Sequence, residues 1–146
     1  MIKEFSIKKS GDMSLSANFK VKEFMCHDSC DKVLIDIDLV SKLQDLRDYL
    51  GKPVTITSGY RTESYNKQCG GAENSYHLKG QAVDIYCTGV KPIVIALWAE
   101  FNGLGGIGLY LDRTQEFVHI DTRQNKYRWV NRNGSNTAIK SMTDLL

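Results

Sequence analysis

The chain has 146 residues, 42% of them hydrophobic and 25% charged, with 12 glycines and two prolines; this excludes disorder and collagen-like repetition and predicts one domain over 1–146. Nineteen Lys and Arg against seventeen Asp and Glu leave a formal charge of +2 with no concentrated basic stripe, which argues against nucleic-acid binding. No stretch approaches the ~18 apolar residues of a membrane-spanning helix.

A chain of this length buries roughly two thirds of the surface its unfolded form exposes, so a core is expected without disulfides or partners, and a monomer is the simplest state. Met1–Lys9 carries lysines but no apolar run behind them and does not read as a secretory signal. Synthesis in the cytoplasm is therefore expected. Cys26, Cys30, Cys69 and Cys87 could form two disulfides, yet without a leader the reduced state is preferred.

In chain order, Phe19, Val21 and Phe24 suggest a short extended or helical segment over a core edge. Leu39, Leu43, Leu46 and Leu50 recur at helical spacing, with Asp38 as the expected N-cap and Gly51 and Pro53 as the stop. Val54–Ser58 is β-branched and reads as a strand delivering the chain into Gly59-Tyr60-Arg61, and Arg61–Gln68 reads as a short helix before the loop Cys69–Ser75. Gln81–Cys87 alternates like a strand, Pro92–Phe101 reads as a helix with proline in its first turn, Gly106–Tyr110 begins a strand, and Phe117–Asp121 is expected to be the last. The order predicts an α+β domain, helices on one side of a mainly antiparallel sheet.

The chemistry concentrates in Ser75-Tyr76-His77-Leu78-Lys79-Gly80-Gln81-Ala82-Val83-Asp84 and in Glu116-Phe117-Val118-His119-Ile120-Asp121. Two imidazoles and a carboxylate suit a catalytic zinc, because three protein ligands leave a fourth position for water. A carboxylate nearby must then move the proton to the leaving nitrogen. Cys26 and Cys30 with His27 form an incomplete set for a second zinc, and Trp129 reads as a core aromatic rather than a groove residue.

The string Ser75-x-His77-x-x-Gly80-x-Ala82-x-Asp84, with Ser58-Gly59-Tyr60-Arg61 before it and Phe117-Val118-His119-Ile120-Asp121-x-Arg123 after it, closely resembles the zinc D-Ala-D-Ala carboxypeptidase family, metallopeptidase family fifteen. The resemblance runs from about Phe19 to Trp129. It implies a fold shared with the hedgehog signalling domain, one zinc held by His77, Asp84 and His119, and hydrolysis of peptide bonds in peptidoglycan stem peptides, as a D-Ala-D-Ala carboxypeptidase or an L-Ala-D-Glu endopeptidase of endolysin type. It implies a substrate or oxyanion role for Arg61 and, three residues before the second histidine, a general base at Glu116. Residues three apart in a strand face opposite sides, so Glu116 has to lie in a turn ahead of the strand to serve; Asp121 shares the face of His119 and is the alternative base or an orienter of that ring. Ser75 and Tyr76 are expected on the substrate loop. Release by a phage or prophage route would bring a leaderless chain to the wall. The alternative is a non-catalytic domain of the same fold that binds wall peptides or a partner, since fold does not settle catalysis; a disulfide-stabilised phage structural protein is a third.

Overall fold

The computed structural model describes residues Met1–Leu146. β1 (Ile2–Ser6) pairs antiparallel with β2 (Lys32–Asp36), Ile2 opposite Asp36. This pair was not anticipated: Lys3, Glu4 and Lys32 break the apolar alternation, and β1 buries none of its residues fully. A single turn, α1 (Ile7–Ser10), follows β1. A 3-10 turn at Val21–Phe24 then brings Phe19, Val21 and Phe24 into the core, as the isolated apolar residues suggested.

β2 runs directly into α2 (Ile37–Leu50), whose apolar stripe buries Leu39, Val40, Leu43 and Leu46. The expected cap is displaced by two positions. Asp36, not Asp38, caps the helix, its Oδ1 accepting from the Asp38 N–H at 3.0 Å, because the strand ends only at Asp36 and its extended backbone is what a cap requires. Gly51, at φ +64, closes the other end.

β3 (Thr55–Ser58), α3 (Glu63–Gln68), a 3-10 turn at Tyr76–Lys79, β4 (Ala82–Tyr86), α4 (Pro92–Phe101), β5 (Gly106–Leu111) and β6 (Glu116–Asp121) follow close to the expected ranges. Two strands beyond the expected last one, β7 (Tyr127–Arg132) and β8 (Ser135–Ile139), extend the sheet to six in the order β3-β4-β6-β5-β7-β8. All its pairs are antiparallel except β5 with β7, so the mainly antiparallel α+β expectation holds.

Strand alternation gives the sheet two chemically different faces. Val83 and Ile85 of β4, Ile107 and Leu109 of β5 and Val118 and Ile120 of β6 enter one 25-residue core cluster with α4 and α2 residues. The opposite face presents Asp84, His119, Asp121, Tyr110 and Trp129. The register sets Asp84 against His119 across β4 and β6, His119 against Gly108 across β6 and β5, and Gly108 beside Trp129 of β7.

Candidate metal centre and cleft

Each half of the centre is placed by local backbone. Ser75 caps the Tyr76–Lys79 turn, its Oγ accepting from the His77 N–H at 3.2 Å, and Gly80 at φ +73 reverses the chain into β4. A side chain on Gly80 would collide with the Leu34 carbonyl, so the turn needs both the left-handed backbone and the missing Cβ. His77 is thereby delivered beside Asp84, which sits on β4 opposite His119 of β6.

His77 Nε2 lies 3.3 Å and His119 Nδ1 3.1 Å from the same oxygen, Asp84 Oδ1, and all three residues are buried. The far side of each ring is committed. His77 Nδ1 is 2.7 Å from the Gly59 carbonyl, which accepts only, so Nδ1 carries the proton. His119 Nε2 is 2.7 Å from Asp121 Oδ2, likewise an acceptor. The nitrogens facing Asp84 are then lone pairs in the neutral rings, and three acceptors converge, all within 4.8 Å of one another. Such a cluster is unfavourable unless a cation occupies its centre, and the donor set fits a metal ion with two imidazoles and one carboxylate.

Burial alone would lower the His119 pKa, but its hydrogen bonds to Asp121 and Asp84 outweigh burial and raise it to about 9. Burial pushes Asp84 up and the two imidazoles pull it down further, leaving it well below the ordinary carboxylate range. Asp121 is likewise held low: burial is outweighed by His119 and by Arg123, whose Nε and Nη2 reach it at 2.8 and 2.6 Å.

Arg61 stands behind Asp84. Its Nε donates to Ser58 Oγ at 3.0 Å, Nη1 to Asn66 Oδ1 at 3.2 Å and Nη2 to Asp84 Oδ2 at 3.2 Å. Asp84 is thus split between two tasks, Oδ1 toward the histidines and Oδ2 toward the guanidinium. Asn66, which the sequence presented as a loop former, is buried and ties Arg61 to the Ala72 carbonyl through Nδ2 at 2.9 Å.

A cleft of about 580 Å³ opens over these groups, bounded on one side by the Cys69–Tyr76 loop and on the other by Asn131, Gly134 and Asn136 of the β7–β8 hairpin. Ser75 and Tyr76 line it, as expected, and the Tyr76 ring is covered by the Arg123 guanidinium at 4.4 Å. Trp129, expected as a core aromatic, is instead a groove residue: 7% exposed, it stands on the histidine face of the sheet outside the core cluster and lines the cleft, its ring centroid 5.0 Å from that of His119. Tyr110 and Phe117, stacked at 4.3 Å, also line the cleft, and sequence reasoning passed over both. A signal was present. Gly106 and Gly108 alternate on β5 where side chains would strike the Asp121 carboxylate and the Trp129 ring, and alternate glycines in a strand mark a close approach.

Glu116 requires a correction. It is the first residue of β6 and pairs with Leu111 of β5, so alternation has already begun and its side chain shares the face of Val118 and Ile120. It borders a groove with Ile85, Cys87 and Ile95 on the α4 side of the sheet, away from the histidines. Asp121 is on the correct face but is fully buried, and His119 and Arg123 occupy both of its oxygens. Asp121 therefore holds the far side of the His119 ring by a hydrogen bond, and Asp84 is the one carboxylate lining the cleft. All four cysteines are free; Cys69 lines the cleft and Cys87 is buried beyond β4, bordering the groove on the α4 side. His27 Nε2 contacts the Thr57 carbonyl at 2.8 Å.

Comparison with known proteins agrees with this geometry. The family model described as peptidase M15 matches residues 17–121. A Haemophilus influenzae protein named probable peptidoglycan L,D-endopeptidase MepK is 32% identical over 128 residues, covering 77% of this chain and 68% of that protein. Peptidoglycan L,D-endopeptidase MepK of Escherichia coli K12 is 40% identical over 95 residues, 60% of this chain and 51% of its own length. A zinc D-Ala-D-Ala carboxypeptidase of Streptomyces albus G is 44% identical over 45 residues, 30% of this chain and 18% of that protein. The chain thus spans between half and about two thirds of the MepK proteins it matches. With His77, Asp84 and His119 converging in one buried centre under an open cleft and the family model matching residues 17–121, the chain belongs to the peptidase M15 family and is a hydrolase of peptide bonds.

Proposed function

We propose that the chain is a zinc-dependent endopeptidase acting, as a monomer, on the stem peptides of peptidoglycan. The observation that carries this reading is the meeting of His77 Nε2, Asp84 Oδ1 and His119 Nδ1 at the floor of a cleft built by one chain. A bound zinc there supplies a Lewis acid and lowers the pKa of water toward ~7. Asp121 keeps the His119 lone pair aimed at the centre, and Gly59 does the same for His77. Arg61 fixes the Asp84 carboxylate and retains one N–H on each terminal nitrogen for a substrate carbonyl or the developing oxyanion. Ser75 and Tyr76 form the wall along which the peptide lies.

Charge favours an internal bond over a terminal one. The two guanidiniums lining the cleft are already paired, Arg61 with Asp84 and Arg123 with Asp121, and no lysine lines it, so a terminal carboxylate has no free cation. The names of the MepK relatives support the same choice.

One observation favours a second reading, a domain that binds wall peptides without cutting them: Glu116 faces away and no free carboxylate lines the cleft. Digestion of purified peptidoglycan with mass analysis, with and without chelator, decides among these. Internal fragments that disappear with chelator are expected. Release of terminal D-Ala alone would make it a carboxypeptidase, and intact peptides retained by fully zinc-loaded protein would make it a binding domain.

A further inference from the structure

With both sequence-derived acid–base carboxylates out of reach, the polar groups that remain in the cleft decide how charge on the substrate is met. Tyr110 stands apart among them. It lies on the His119 face of β5, one alternation from Gly108, which pairs with His119. Its ring is stacked on Phe117 at 4.3 Å and 9° and meets the Trp129 ring edge-on at 87°, so its direction is fixed from two sides. Trp129 is held in turn across Gly108, where no side chain intervenes. The Trp129 Nε1–H donates to Tyr110 Oη at 3.1 Å, which occupies an acceptor position of the phenol and leaves its own O–H without a protein acceptor. Tyr110 lines the same cleft as Asp84, His119 and Arg61.

The geometry points to Tyr110 as the hydrogen-bond donor to the carbonyl oxygen of the scissile peptide, the atom that gains negative charge when water adds to its carbon. This rests on the peptidase reading above. The phenol keeps its proton throughout: the water oxygen bonds to the carbonyl carbon, the C–N bond breaks, both water protons end on the departing amine to leave a carboxylate, and Tyr110 takes no part in that transfer but strengthens a hydrogen bond as the carbonyl oxygen becomes an oxyanion. Burial raises the phenol pKa, so the group remains a donor at neutral pH. A donor fixed before the reaction acts on the transition state more than on the bound substrate, so kcat carries the effect. Trp129 is a positioning residue for that hydroxyl.

Tyr110→Phe keeps the ring, its stack on Phe117 and the contact with Trp129, and removes one oxygen. Zinc-loaded wild type and variant are compared in zinc stoichiometry, in kcat and KM on a soluble stem peptide, and in the Kd of a phosphinate analogue of that peptide measured by calorimetry. Expected are equal zinc content, KM within about threefold, and losses of roughly 100-fold in both kcat and phosphinate affinity. A kcat within threefold of wild type, or unchanged phosphinate affinity, would overturn the role of Tyr110 while leaving the peptidase reading intact. Wild-type protein at full zinc occupancy that neither cleaves the peptide nor binds the phosphinate would overturn both.

Discussion

Asp121 illustrates how much one buried residue coordinates: its carboxylate orients His119 at 2.7 Å, neutralises Arg123 and occupies the space left by Gly106. Asp121→Asn retains shape but removes the charge that favours the required His119 tautomer. Zinc affinity should fall by about 10–100-fold, read by competition with a chromogenic chelator. Glu116 carries the opposite expectation. Because its side chain lies on the far face of β6, Glu116→Gln should change kcat by no more than about twofold, the ~0.5 kcal/mol typical of surface substitutions, in steady-state assays on a stem peptide. A loss of orders of magnitude would place that carboxylate back among the reacting groups.

Between elements, Glu100 ties α4 to β7 and to the C-terminal 3-10 turn at Met142–Leu145. It accepts from Arg128 Nε at 3.0 Å, from the Met142 N–H at 2.7 Å and from Ser141 Oγ at 3.0 Å. Burial would raise its pKa, but these donors and Lys126 outweigh burial and lower it from 4.5 to about 2. A depressed carboxylate stabilises the fold above its unfolded value, and that contribution is lost as pH falls from about 4.5 toward 2. Glu100→Gln should therefore lower stability at neutral pH and flatten this part of the pH–stability curve, measured by urea midpoints from pH 7 to pH 2. The same element scale explains the two strands missing from the expected sheet. β8 is largely exposed and reads as polar loop, and β7 joins by parallel pairing with β5, a non-local choice that local propensity does not express.

For the molecule as a whole, three acceptors facing one another mean that the native state binds the ion and the unfolded chain does not. Thermal stability should rise with free zinc, by about 2.7 kcal/mol at 100 times the Kd, and fall reversibly with chelator in scanning calorimetry. The helices at 37–50 and 92–101 and the strands around Asp84 and His119 were accessible from short-range periodicity, whereas the three metal-facing residues, spread from His77 to His119, were reached only through the resemblance to a family pattern. Convergence of those residues depended on the register of β4 against β6, and the bias of both imidazoles depended on Gly59 and Asp121. Alternation along Glu116–Asp121 was legible, but its starting point was not: pairing of Glu116 with Leu111 extends the strand by one residue and turns an expected base out of the site. Sequence alone determined which groups are available for chemistry. Tertiary structure decided which of them meet, because a side chain's face is set by hydrogen bonds to a strand that local sequence does not contain.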